Sequence, residues 1–294
     1  MRMNYVSRIQ SNMKRHRTIY TSRKTTQVLD GSYRSVYRGR SNNFEELREY
    51  VEGDEVKDID WKASARSRKM LVRQYIAEKK HNIMLVLDTN KRMLAHTKTG
   101  AEKRDTALMG AGTLACLVNQ NGDYISATYA TSRSIHHFPF KNGLPNIENI
   151  LGYYNKTVTA DNASSVCAPL DYILHHFKQR MIIIIVTDTN GILSLSDTLL
   201  KRLLVQHDVL VLQVSDSDLS GDMVYDVELD GYLPDYFTKD KKLLKMEQKE
   251  EAERKHCCEN KLKHFGIASV TVDSSDQMET KIVELLSKHK GEKR

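Results

Sequence analysis

The chain has 294 residues, of which 40% are apolar and 28% charged, and a formal net charge of +7. That length holds one large α/β domain and a smaller appendage. The longest apolar run, residues 181–186, is far short of the roughly 18 residues that cross a bilayer, and residues 1–10 lack the apolar core of a signal peptide.

The charge is uneven. Residues 1–40 hold ten Lys or Arg against one acid, Asp30, a local sum of +9, so the rest of the chain sums to −2. Such a basic arm attracts anionic lipid, nucleic acid or an acidic protein surface. A charge run alone is a weak signal, and a solubilising terminus is the plainer reading.

Residues 31–73 mix Trp, Tyr, Arg and Asp too densely for an ordinary loop and too irregularly for an amphipathic helix. In one reading the segment is a folding staple. Trp61 plugs a gap, Arg48, Asp54, Asp60 and Arg66 pair around it, and Gly53-Asp54 is a turn. In the other, Trp61 and Tyr50 form a recognition surface, since Trp, Tyr and Arg dominate binding hot spots. A lone Trp among charges usually buries its ring, which favours the staple. Lys62 and Arg68 are then the basic residues expected to be exposed.

Beyond residue 80 strands and helices alternate. Residues 83–88 form a buried strand ending in a carboxylate, Asp88. Residues 104–119 form a helix with Leu108, Ala111, Leu114, Ala115 and Val118 on one side, stopped at Gly122. Residues 124–130 and 135–140 are strands around a tight turn at 131–134. Short helices follow at 145–153 and 169–177. Four consecutive isoleucines mark 181–187 as a strand buried on both faces. Ser196 opens a helix with Leu199, Leu200, Leu203 and Leu204 inward. A strand at 209–214, a long charged helix at 239–264, a strand at 268–272 and a helix at 278–287 complete the chain. This alternation predicts a mostly parallel sheet with helices on both faces.

No nucleophile elbow, Walker loop, dinucleotide fingerprint or HExxH occurs. His256, Cys257, Cys258 and His264 lack metal-ligand spacing, because adjacent cysteines on a helix point about 100° apart. Cys116, Cys167, Cys257 and Cys258 form no disulfide framework, so a reduced, cytoplasmic setting is expected, peripheral to a membrane if the arm anchors there.

The spacing of Gly31, Ser35, Gly39, Phe44, Glu45, Arg48, Tyr50, Gly53, Asp54, Ile59, Asp60, Trp61, Lys62, Ala65 and Arg66 resembles the bacterial family called domain of unknown function fifty-eight (DUF fifty-eight). Lys57 stands where that family usually has Arg. The resemblance implies a von Willebrand factor A-like main domain, and hence a basic arm over 1–40, a signature segment over 41–80 and the α/β domain over 81–294. In von Willebrand factor A domains the C-terminal edge of the sheet holds a divalent cation through Asp-x-Ser-x-Ser, a Thr from a second loop and an Asp from a third. By that resemblance Asp88 keeps the first position, Asn90 and Arg92 replace the two serines, Ala168 takes the Thr place and Asp188 matches the last Asp. Two carboxylates without the hydroxyls imply a degenerate site. Arg92 is expected to take the cation's place, with no metal and no cofactor. The family likeness implies a non-enzymatic protein-interaction module, a partner or adaptor of a MoxR-type AAA+ ATPase docking at the sheet edge. The alternative is a peripheral membrane-surface or polyanion binder using the basic arm. Neither a small-molecule substrate nor a specific nucleic acid is expected.

Overall fold

The computed structural model describes residues 4–16, 43–76, 81–217, 225–226, 231–232, 241–276 and 278–292. The chain divides into two compact units, one of residues 1–32 and 81–294, the other of residues 33–80.

The smaller unit holds an antiparallel pair, β1 (Asn43–Glu49) with β2 (Leu71–Ile76), a 3-10 turn at Val56–Asp58 and the short helix α2 (Trp61–Ser67). Asp60 starts α2 by accepting from Lys62 N at 3.1 Å and Ala63 N at 3.0 Å, which satisfies two donors that the helix itself cannot. Ile59 and Val72 are buried and bridge each other.

The larger unit is built on six strands: β3 (Asn82–Leu87), β4 (Tyr124–Ala130), β5 (Ile135–Lys141), β6 (Ile182–Thr187), β7 (Asp208–Val214) and β10 (Ala268–Val272). Two further short strands, β8 (Tyr225–Asp226) and β9 (Gly231–Tyr232), pair only with each other. The sheet order is β10-β7-β6-β3-β4-β5, parallel throughout except for the antiparallel edge β5. This is the expected mostly parallel arrangement. The chain runs outward from β3 through β4 on one side and from β6 through β7 on the other, so the order reverses between β3 and β6. That switch point is where an open α/β sheet leaves a crevice at its C-terminal edge.

Helices α3 (Lys103–Gln120), α4 (Leu144–Thr157), α5 (Cys167–His176), α6 (Thr189–Ser194), α7 (Asp197–Gln206), α8 (Lys241–His264) and α9 (Met278–Glu292) cover the sheet. Sheet residues Met84, Val86, Ile183, Ile185, Val209 and Val211 share one core with Leu170 and Ile173 of α5, Leu200 and Leu203 of α7, and Cys258 and Leu262 of α8. The C-terminal part of the charged α8 is thus anchored, while Cys257 is exposed beside buried Cys258. Among the described residues no helix is long and apolar enough to cross a membrane.

On the other face α3 is enclosed rather than amphipathic, with fourteen of its eighteen residues buried. Two glycines allow this. A Cβ on Gly110 would collide with Leu212 of β7, and one on Gly112 with Ile9. Ile9 belongs to a helix that the sequence reading missed, α1 (Tyr5–His16). Glu148 of α4 receives its N-terminus, accepting from Tyr5 N at 2.9 Å and Val6 N at 2.8 Å. Val6, Ile9 and Met13 are buried. The expectation of one basic arm over 1–40 is therefore corrected: the apolar 6, 9, 13 stripe docks residues 5–16 into the main unit. The rest of that arm, with Gly31, Ser35 and Gly39 of the signature, lies outside the described residues.

Gly112→Ala is expected to cost about 1–3 kcal/mol by overpacking. In an Ile9→Ala background it should cost less, with a coupling of at least about 0.5 kcal/mol in a denaturation cycle. Strictly additive costs would contradict the seating of α1 on α3.

Candidate functional site

The C-terminal ends of β3, β6 and β7 deliver three carboxylates, Asp88, Asp188 and Asp216, to the switch-point crevice. Asp88 and Asp188 are 1% and 0% exposed, so each must find donors or stay protonated. Asp88 accepts from Thr187 Oγ1 at 2.6 Å and from Asn90 N at 2.9 Å. Asp188 caps α6 by accepting from Gly191 N at 2.8 Å. Gly191 has to be glycine, because a Cβ there would collide with Thr187 Oγ1 and crowd Asp88 Oδ2.

Two cations of the chain itself fill the remaining space. Lys103 Nζ lies 3.2 Å from Asp188 Oδ2 and also donates to Asp216, with its side chain only 5% exposed. Arg92 reaches Asp188 with Nε at 3.5 Å and Asp88 with Nη2 at 3.7 Å. At those separations Arg92 attracts without hydrogen-bonding, and its buried Nε finds no hydrogen-bond acceptor among the described residues. Thr189 Oγ1 donates to Asp216 and accepts from Gln213 Nε2 at 3.0 Å.

The two acids titrate in opposite directions. Burial, and then the neighbouring Asp188, push Asp88 above the ordinary carboxylate value; Thr187, Asn90 N and Arg92 offset this only in part. Burial also opposes ionisation of Asp188, but Lys103 and then Arg92 outweigh it and hold that carboxyl low. Burial alone would lower Lys103; Asp188 and Asp216 instead raise it.

These residues do not fit a divalent cation. Magnesium needs near-octahedral oxygen at about 2.0–2.1 Å. Here both oxygens of Asp88 and both of Asp188 already face donors of the chain. Asn90 cannot help, since its Oδ1 accepts from Arg92 N at 3.0 Å and its Nδ2 donates to Ser164 O at 2.8 Å. Ala168 is not brought to the pair. It is exposed at the start of α5 and lines a separate groove. Ser164, which the sequence reading did not single out, is what the second loop presents, with Oγ 3.0 Å from Thr89 Oγ1. Lys103 and Asp216 were missed as well. The available signal was position: a lysine in the first turn of a helix opposes the macrodipole unless acids hold it there.

The signature residues sit in the smaller unit. Arg48 and Asp54 form a two-pronged pair at 2.7 and 2.5 Å, and Asp54 also accepts from Val51 N at 2.9 Å in the turn where Gly53 has φ 106°. Arg73 donates to the capping Asp60 at 2.9 Å. Lys62, Arg66 and Arg68 are exposed, and Tyr50 is half-buried. The expectation that Trp61 plugs a gap is overturned: its residue is 63% exposed. A two-stranded ribbon and a seven-residue helix offer no enclosure for an indole. Of the expected charge set Arg48 pairs with Asp54, but Asp60 pairs with Arg73 rather than with Arg66.

Asp88→Asn should change stability by no more than about 1 kcal/mol, whereas Asp188→Asn, which leaves buried Lys103 with Asp216 alone and takes one of Arg92's two acids, should cost about 3–5 kcal/mol. The sign follows from the shifts. Asp188 is depressed, so its contribution is present above the unfolded value near 3.8 and is lost as pH falls through its folded value. Asp88 is raised, so its contribution is present below 3.8 and is lost as pH rises through its folded value. Denaturation of both variants across acidic and neutral pH checks this. Calorimetry with magnesium or manganese should show no tight binding; a low-micromolar Kd abolished by Asp88→Ala would overturn the assignment.

The family described as "Protein of unknown function DUF58" matches residues 46–228. Uncharacterised proteins of Mycobacterium tuberculosis (strain ATCC 25618 / H37Rv) and Mycobacterium bovis (strain ATCC BAA-935 / AF2122/97) are each 25% identical over 199 residues. The match takes in 66% of this chain and 61% of theirs, so the chain spans less than two thirds of those relatives. Among solved structures, the conserved hypothetical protein BatB from Bacteroides thetaiotaomicron is similar at a TM-score of 0.47 and 14% identity, over 71% of this chain and 98% of that one. A von Willebrand factor type A structure from Catenulispora acidiphila is similar at a TM-score of 0.40 and 8% identity, over 75% and 44%. The family match takes in more than half of the chain, which therefore belongs to the family of unknown function DUF58.

Proposed function

We propose that this chain is a non-enzymatic protein-interaction module that partners a MoxR-type AAA+ ATPase, presenting the C-terminal edge of its sheet as one contact face. The observation that carries this reading is the closure of the switch-point cluster. Where such a fold gathers its reactive groups, Asp88 and Asp188 are hydrogen-bonded within the chain and matched by Arg92 and Lys103. No uncommitted base, nucleophile or metal cradle is left among them. What the edge does offer is loops of polar and small side chains, which suits contact rather than chemistry. The ATPase itself is named by family likeness.

The smaller unit supports the same reading. Its acids Asp54 and Asp60 are engaged internally, with Arg48 and Arg73, and Trp61 stays exposed at the head of α2. An exposed tryptophan on a pinned helix start is the kind of side chain that anchors interfaces.

Trp61→Ala should therefore shift stability by no more than about 0.5 kcal/mol, as exposed substitutions do. Capture of the ATPase from native lysate should weaken by about 2 kcal/mol or more. Thermal melts beside pull-downs, with and without nucleotide, measure both. A folded wild-type protein that captures no MoxR-type ATPase in either condition ends the adaptor reading.

A further inference from the structure

A groove of about 630 Å³ opens at the same sheet edge, outside the carboxylate cluster. One wall is the β4–β5 turn with Thr131 and Arg133. The other is the loop before α5 with Ser164, and Ala168 and Tyr172 of α5 itself. Neither wall is loose. Thr131 Oγ1 accepts from Ser134 N at 2.9 Å and Arg133 N at 3.3 Å, while Thr131 N donates to Ser134 O at 2.7 Å. Ser164 is fixed from both sides, its carbonyl by Asn90 Nδ2 at 2.8 Å and its amide by Asn162 Oδ1 at 3.0 Å.

The chemistry of the lining is one-sided. It contains hydroxyls, alanines, one isoleucine and one cation, and no acid. Among the described residues no carboxylate pairs with Arg133, although most other arginines at this edge and in the smaller unit are paired. Burying or half-covering that guanidinium against a partner demands an anion with planar oxygens, which a carboxylate supplies in two-pronged geometry. The alanines keep the floor shallow and open, so an extended backbone can lie across it while the hydroxyls meet its polar groups.

We infer that this groove receives an acidic side chain, Glu or Asp, from an extended segment of a protein partner, with Arg133 as the charge-reading residue. The inference rests on the interaction-module reading and adds the chemistry of what is bound.

The test uses the full chain and an array of short synthetic peptides in which each glutamate-bearing sequence has a glutamine twin. The wild type should retain the glutamate peptides at least about tenfold better than their twins. Arg133→Glu should abolish that preference, and Ala168→Trp, which fills the groove without touching charge, should abolish retention. Lys201→Glu makes the same charge change at an exposed position on α7 and should leave the preference intact. Melts confirm that each variant is folded. A wild type without preference, or equal loss in Lys201→Glu and Arg133→Glu, overturns the inference, because general basicity then explains the retention. The ATPase pull-down separates the two claims. Capture by wild type and lost in Arg133→Glu supports both. Capture by both proteins removes the groove as the docking place while the adaptor reading stands. No capture by wild type ends the adaptor reading, and the peptide array still decides the groove.

Discussion

The whole upper edge of the larger unit depends on a cluster of three acids and two cations. Asp88, Asp188 and Asp216 end three neighbouring strands, Arg92 comes from the turn after β3, and Lys103 opens α3. At an effective dielectric of about 20, opposite charges 4 Å apart attract by about 4 kcal/mol, while desolvating each ion costs several kcal/mol. The two nearly cancel. The cluster's net contribution to stability is thus small, but Asp188 is the acid that meets both cations, so its loss unbalances the buried charges most. The cluster's effect is positional: three separate loops and a helix start are held in one arrangement, so the surface they form is preorganised.

The same logic of enclosure governs the opposite face. α3 starts at Lys103, so the charge cluster fixes its near end, and glycines at 110 and 112 let it approach β7 on one side and α1 on the other. α1 docks against α3 in turn. It is held by Glu148 at its N-terminus and by Ile9 in the Gly112 notch. A substitution at residue 112 would therefore be felt at residue 9, more than a hundred positions away in sequence.

The sheet was legible in the sequence because each strand is an apolar run bounded by turn residues, and 82–87, 124–130 and 182–187 fall where those runs do. The pairing of Arg92 with the acids was foreseeable only through the family resemblance, which places Asp88, Arg92 and Asp188 at one edge. What stayed hidden was of two kinds. Long-range partners leave no local mark: Lys103 looks like any helix lysine, and Glu148 like any surface acid, until the fold brings Asp188 and the α1 terminus to them. The stripe of Val6, Ile9 and Met13 was present but sat within a basic run, and charge density outweighed periodicity in the reading. Trp61 failed differently. The preference of tryptophan for burial is an average over domains large enough to enclose it, and β1, β2 and α2 are not.

A protein cation and a metal ion also leave different surfaces behind. A metal site with an open coordination position carries surplus positive charge outward and attracts acids. Here three carboxylates face two cations, so the cluster carries −1 with every acid ionised, and about zero if Asp88 keeps the proton that its burial favours. Arg92 is already spent on Asp88 and Asp188 and has only 22% of its side chain exposed. The switch point therefore offers an anionic partner no net attraction. Arg133 lies on the neighbouring turn with no carboxylate among the described residues to neutralise it. Whatever anion-reading capacity this edge has is displaced from the crevice to the β4–β5 turn, one strand away from where the fold would otherwise place it.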